Sequence, residues 1–380
     1  MDLRLSDEQL LIQKMARDFA EKEIAPTAAE MDEQAQVPLD NFRKMGELGF
    51  MGLTVSEAYD GGGLDTVSYI LALEEISRAC AATAVVMSIQ NSLINYCIEQ
   101  FGTEEQKERY LPRLAAGEWI GAFAITEAGA GSDVGSISTT AKQAGDAYII
   151  NGVKHFITSG SFADLTLFFA STDRSKGTRG LTAFLVEKGT PGFSPGPDAH
   201  KLGIRASSTS ELIFDDCRLP LESVLGAPGQ GFKIAMKSLD GGRIGIAAQA
   251  VGIAEAAYRA SVKYAKEREQ FGQPIAQFQA IQWILADMAT RIEAARLMTW
   301  NTAMRKDAGE SYTRESAMCK LFASETATWV TGKAIQVHGG YGCMKEYPVE
   351  RYFRDAKVTE IYEGTSEIQK LVIAHSILRE

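Results

Sequence analysis

The apolar pattern of this 380-residue chain changes period twice, and that double change confines the fold to a β domain between two helical segments. Residues 1–118 read as helical. Ser6 with Gln9 makes a capping box, and Leu11, Met15 and Phe19 follow at four-residue steps on one apolar face. Pro26 ends that helix, and "DTVSYILALEEISRA" and "EEQKERYLPRL" continue the helical reading. Near Trp119 the character changes. "WIGAFAIT", "DLTLFFAST" and "GLTAFLVE" are rich in β-formers. In "AYIINGVKHFIT", Asn151-Gly152 stands between two such runs, which predicts a tight hairpin turn there. Residues 119–226 are therefore expected to form an antiparallel β domain ending in the loop "GAPGQG". Long helical patterns return from Phe232, giving a third domain over 227–380. No repeat of 20 to 50 residues is visible.

At 45% apolar residues the chain is long enough for two or three domains with cores of their own. A net charge of −10, with no long basic run, makes nucleic acid and anionic membranes poor partners. The cysteines at 80, 97, 217, 319 and 343 are odd in number and never spaced C-x-x-C, so they read as reduced thiols. "MDLRLSDEQL" lacks the basic start and apolar run of a signal peptide, and "ACAATAVVMSI" has about half of the ~20 residues a membrane span needs. A soluble, cytoplasmic protein without a membrane span is expected.

Several motifs admit two readings. The four histidines, at 155, 200, 338 and 375, show no metal-ligand spacing. "GFSPG" matches G-x-S-x-G, but Pro195 after the serine has no N–H for an oxyanion, so no hydrolase is expected. "GAGSDVG" (129–135) is one residue too long for a dinucleotide fingerprint. It is either a plain turn or a loop whose amides approach a phosphate or an oxygen-rich cofactor. Gly241 and Gly242 interrupt a helical pattern at about 1 kcal/mol each, either for close helix contact or for a ligand that Asp240 and Arg243 could bind. "QVHGGYG" (336–342) is a helix C-cap or a backbone surface for a cofactor. In "TEIYEGTSEIQK", Ser366 with Gln369 predicts another capping box. Glu363 beside it either neutralises the helix dipole or serves as a general base in a dry site next to Tyr362.

Taken together, "ITEAGAGSDVG", "KHFITSG", "KLGIRASSTSEL", "LDGGRIGIAAQAVG", "REQFGQPIAQFQAIQ", "QVHGGYG", "YPVERYFRDAK" and "TEIYEGTSEIQ" resemble the acyl-CoA dehydrogenase family, its short-chain, butyryl-CoA-type branch above all. The resemblance implies a mainly α fold with a central β-barrel: a helical N-terminal domain, the barrel, and a C-terminal four-helix bundle, assembled as a homotetramer. It implies α,β-dehydrogenation of a short-chain acyl-CoA to the trans-2-enoyl-CoA. Glu363 would take the α-proton, FAD N5 the β-hydride, and electrons would pass to electron-transfer flavoprotein. By the same resemblance Phe123, Ala124, Ile125, Thr126, Gly131 and Ser132 contact FAD, with Ser132 also near the CoA chain. Phe156, Ile157 and Thr158 lie against the flavin ring. Arg268, Gln279, Gln336, Val337, His338, Gly339 and Gly340 reach FAD across a subunit interface, and Thr365, Ser366 and Glu367 complete its contacts. Asp240, Gly241, Gly242 and Arg243 bind the CoA substrate, with Tyr362 and Gly364 beside the thioester. The Glu363 N–H helps to hold the enolate oxygen.

Three residues depart from the family pattern. Phe156 replaces a common tryptophan, Ala128 replaces a common proline, and Gly242 stands where the isovaleryl branch carries its catalytic glutamate. Gly242 is expected to leave an empty space facing the thioester. Two alternatives stay open on the sequence: an acyl-CoA oxidase using O₂, and a non-catalytic CoA-binding protein of the same fold.

Overall fold

A computed structural model of the chain describes residues 4–379; residues 1–3 and 380, the outermost of the two expected helical domains, lie outside it. The N-terminal segment holds α1 (Asp7–Phe19), α2 (Ala28–Gln34), α3 (Leu39–Glu47), α4 (Thr66–Ala79), α5 (Ala81–Ile89), α6 (Tyr96–Phe101) and α7 (Glu104–Ala115). Side chains set several of their starts. Ser6 Oγ accepts from Gln9 N while Ser6 N donates to Gln9 Oε1, the box read from the sequence. Asp65 caps α4, and Thr103 with Gln106 boxes the start of α7. After α1 a π turn over Ala20–Ile24 leads to Pro26, whose ring nitrogen cannot continue the helix. A second π segment, Gln90–Asn95, joins α5 to α6 and is wholly buried. Its Asn91 accepts from Leu53 N and donates to Phe50 O, so a loop is pinned to it from the side.

The strands β1 (Gly121–Ala124), β2 (Thr140–Ala144), β3 (Ala147–Thr158), β4 (Leu165–Ser171), β5 (Leu181–Glu187), β6 (Phe193–Asp198), β7 (Thr209–Pro220) and β8 (Val224–Leu225) form one sheet in the order β6-β7-β3-β2-β4-β5-β8, with β1 on β4. The sheet curls around its own core. Phe168 of β4 meets Phe214 of β7 at 4.4 Å between ring centres, although two strands separate them along the sheet. Two expectations are corrected here. The sheet is not purely antiparallel, because β1 and β2 both pair with β4 in parallel. Neither pair is joined by a hairpin, so nothing forces opposite directions. Asn151-Gly152 is also not a turn. β3 runs straight through it, with a bulge between Ile150 and Gly152. The Asn151 side chain is engaged by β7 instead, donating to Asp216 Oδ1 and accepting from Asp216 N, both at 2.9 Å. The reversal lies earlier, at the two residues Gly145-Asp146 between β2 and β3, with Gly145 at φ +64°.

The C-terminal segment holds α8 (Gly231–Glu267), a short hairpin of β9 (Glu269–Gln270) and β10 (Gln273–Pro274), α9 (Gln279–Asp307), α10 (Thr313–His338), α11 (Val349–Thr359) and α12 (Ser366–Ile377). Both helical segments share one core. Leu71, Met87 and Leu93 belong to the same buried cluster as Ile244 and Val251 of α8 and Val330 of α10. Contact is closest at Gly252, where a β-carbon would strike Glu74 O and lie 2.6 Å from Ser77 Cβ, so α4 crosses α8 backbone to backbone. The inner face of the sheet keeps a separate cluster of its own. Among the described residues no helix is long and apolar enough to cross a membrane.

Candidate active site

Glu363 sits on the six-residue link, 360–365, between α11 and α12, which the chain bends into an uncommon conformation. Glu363 has φ +52° and Gly364 φ +95°. A bulky residue in that left-handed region is disfavoured and persists only when its surroundings hold it. Those surroundings are visible. Gln369 Nε2 donates to Gly364 O at 2.8 Å and to Glu363 O at 3.2 Å, and Lys320 Nζ donates to Gly364 O at 2.7 Å. The box predicted on Ser366 and Gln369 is thereby corrected by one residue. Thr365 is the N-cap, accepting from Ile368 N, because the Gln369 amide is committed to the two carbonyls of the bend.

The carboxylate points at α8. A β-carbon on Gly242 would strike Glu363 Oε2 and come within 3.0 Å of Leu93 Cδ2. The space at Gly242 is therefore not empty as expected, because Glu363 occupies it. Positions 242 and 363 do share one volume. Oε2 is buried and has no hydrogen-bond partner among the described residues. Burial pushes the Glu363 carboxyl up to about 7, against the pull of the Lys320 and Arg243 charges. Arg243 is tied to Asp240 at 2.7 Å, and Thr313 Oγ1 donates to the other oxygen of Asp240. Beyond Gly242 the volume fills quickly. A β-carbon on Gly245 would lie 2.5 Å from Ser88 Oγ and 2.6 Å from Tyr69 OH, and one turn further the Tyr362 hydroxyl donates to Gln249 Oε1.

A second group of expected residues lies on the sheet. Phe123 and Ala124 end β1, Ile125 and Thr126 open the loop that follows, and Phe156, Ile157 and Thr158 end β3. His155 N donates to Thr126 O, which draws the two stretches together. Phe156 stands at φ +58° and is 71% exposed, with only the neighbouring His155 ring against its own among the described residues, a costly pose for an apolar side chain. The loop carrying Gly131 and Ser132 is held at both ends by Glu127, which accepts from Ser138 and Thr139 and pairs with buried Lys154 at 2.7 Å. The π segment ties this group to the carboxylate: Gln90 Oε1 accepts from Gly121 N, while Leu93 packs at Gly242.

The third group does not join them. Arg268, Gln279 and 336–340 gather around β9–β10, where Val337 packs on Ala265 and Ile275 and Arg268 lies over the Tyr341 ring. α8 is unbroken from Gly231 to Glu267, so Arg268 stands about 39 Å along the axis from Gly242. Sequence reading passed over Lys320, the Glu127–Lys154 pair, and Gln249. Lys320 carried a usable signal, a lysine in line with Ser316, Ala323 and Ala327 on a buried helix face.

Comparison with known proteins now decides the family. The N-terminal, middle and C-terminal domains of acyl-CoA dehydrogenase match residues 6–118, 122–217 and 229–378. The chain belongs to the acyl-CoA dehydrogenase family. It is 53% identical to the short-chain specific acyl-CoA dehydrogenase of Clostridium acetobutylicum, over all of both chains. It matches butyryl-CoA dehydrogenase from Megasphaera elsdenii with a TM-score of 0.98 and 48% identity, again over all of both chains. A chain solved in work on the electron transferring flavoprotein of Acidaminococcus fermentans matches at a TM-score of 0.99 and 51% identity, with both chains fully covered. The chain is accordingly an oxidoreductase of acyl-CoA thioesters and a flavoprotein that uses FAD. Its residues fit a flavin dinucleotide. Phe156 offers a bare ring; Gly339 and Gly340 are exposed, with nothing within 4 Å of where their β-carbons would stand. Ser366 Oγ is buried without a partner among the described residues at the N-terminus of α12, where free amides favour an anion.

Proposed function

We propose that Glu363 is the base that removes the α-proton of a short acyl-CoA, and that this is how the chain dehydrogenates its substrate. The observation that carries the reading is the unpartnered Glu363 Oε2, buried against Gly242 on a helix whose next turn is already filled. A dry carboxyl held near 7 can take a proton at neutral pH and return it to water after product leaves. Gly242 lets the thioester lie close to α8. The Glu363 N–H makes no hydrogen bond among the described residues, which leaves it free to donate to the enolate oxygen. Phe123 to Thr126, Gly131, Ser132, Phe156 to Thr158 and Thr365 to Glu367 would hold the cofactor. When bound, FAD supplies the acceptor for the β-hydride. Tyr69, Ser88 and the Tyr362–Gln249 pair favour a chain of about four carbons, because a longer one would have to displace hydrogen-bonded groups.

The 39 Å between Arg268 and Gly242 supports a homotetramer in which Arg268, Gln279 and 336–340 complete the site of a neighbouring subunit. Phe271 and Trp283, 93% and 62% exposed beside that group, are the apolar surface such an interface would cover. Likeness to a chain studied with an electron transferring flavoprotein supports that protein as the electron acceptor over O₂. Free thiols at all five cysteines suit a reducing, cytoplasm-like compartment. The deciding experiment is Glu363→Gln under anaerobic conditions. It should bind FAD and butyryl-CoA and yet bleach the flavin about 10²–10⁴-fold more slowly. Near-normal bleaching would remove Glu363 from the role.

A further inference from the structure

Lys320 belongs to no role assigned so far. Its side chain is fully buried on α10, in line with Ser316, Ala323 and Ala327, where an apolar residue would be expected. Burying an ammonium is expensive unless something nearby needs the charge. No carboxylate lies within ion-pair distance of it among the described residues. Its hydrogen bond goes to a neutral atom, Gly364 O at 2.7 Å, one peptide beyond Glu363.

We propose that Lys320 is the positioning residue of the base: its ammonium holds the Glu363–Gly364 bend from below and is the fixed counter-charge against which Glu363 ionises. The inference rests on the reading of Glu363 as base. Of the groups that face the carboxylate, Arg243 on α8 is largely neutralised by Asp240, while Tyr69 on α4 and Tyr362 on its own link stay uncharged, with hydroxyls pushed up by burial. From the π segment it is Leu93, an uncharged side chain, that lies nearest Gly242. Around Lys320 itself the charges are Glu363, Arg243, Glu360 at the end of α11 and Glu367 on α12. Among the described residues Lys320 is thus the cation facing Glu363 that is not spent on another carboxylate. Burial lowers it to about 8, so it is charged where the base works. Gln369 holds the same bend through the same carbonyl but carries no charge, which separates posture from electrostatics.

The test compares Lys320→Met, Lys320→Gln, Lys320→Arg and Gln369→Leu. Two pH profiles are read: kcat/KM with butyryl-CoA, and the infrared band of the protonated Glu363 carboxyl in the ligand-free protein, recognised by its loss in Glu363→Gln. Lys320→Met should move the acid limb and the band midpoint up by about one pH unit or more. Lys320→Gln, which keeps a hydrogen-bond donor and serves where the methionine variant does not fold, should do the same. Lys320→Arg should keep both near their original pH, and Gln369→Leu should slow the reaction without moving either. If the folded neutral variants titrate as the parent does, the proposal is overturned. If Glu363→Gln still reduces flavin normally, the base assignment itself fails, whatever Lys320 does.

Discussion

Glu363 combines a left-handed backbone with a buried carboxyl, and each has a measurable consequence. Its pKa is raised from 4.5 in the open chain to about 7 in the fold. A raised acid adds stability below the unfolded value, and this is lost as pH climbs through the folded one, so ionised Glu363 opposes folding at pH 8. Glu363→Gln should match the parent near pH 4.5 and become more stable than it by pH 8, by on the order of 3 kcal/mol, in paired urea titrations. In the active direction the sign is opposite. Flavin bleaching by butyryl-CoA should fall about tenfold per unit below roughly pH 7, because only the carboxylate takes the proton. The shared volume at Gly242 gives a third prediction. Gly242→Glu alone must collide with Glu363, whereas Glu363→Gly with Gly242→Glu removes the obstacle and relieves the φ +52° strain. The double variant should regain part of the bleaching that Glu363→Gly loses, with a shorter chain preference. A double variant that binds substrate and stays as slow as Glu363→Gly would show that position 242 does not face the α-carbon.

Between residues and domains, the most exacting element is the loop from Ile125 to Thr139, clamped by the Glu127–Lys154 pair. Removing one partner strands the other charge in the interior, so Glu127→Gln should cost about 3–5 kcal/mol in chemical denaturation and loosen FAD before the helices respond. This clamp was invisible in the sequence because ion pairs between a loop and a strand 27 positions away leave no periodicity. Local signals fared unevenly for the same reason. Gln9 serves Ser6 N with its amide oxygen and Asp65 of the neighbouring helix start with its nitrogen, so the box survived its tertiary contact and was legible. Gln369 has carbonyls from a preceding bend to serve, so the second box shifted to Thr365. Asn151-Gly152 carries a strong turn signature, yet Asp216 on the neighbouring strand claims the asparagine and keeps β3 extended. The true turn, Gly145-Asp146, carries a glycine of its own that the sequence reading passed over. Tertiary partners override propensity where a side chain has two available.

At the scale of the molecule, the helical–sheet–helical order was legible because each period persists for tens of residues, whereas the partner of each apolar face was not. That some expected cofactor residues stand 39 Å from the base follows only from the unbroken length of α8. Arg268→Ala should therefore lose flavin on dilution and gel filtration while each subunit keeps its helical content, with a buried charge-assisted contact worth about 1.5–3 kcal/mol removed. Full flavin after dilution would refute the shared site. The single core built by α4, α5, α8 and α10 has a consequence during synthesis. When Ala115 leaves the ribosome, the faces of α4 and α5 that meet α8 stay open until α8 has emerged in full, about 150 residues later. At 5–20 residues per second that is a wait of roughly 8–30 s. Nascent chains arrested before residue 231 should be bound by holding chaperones and cut readily by protease, while those arrested beyond residue 338 should resist both.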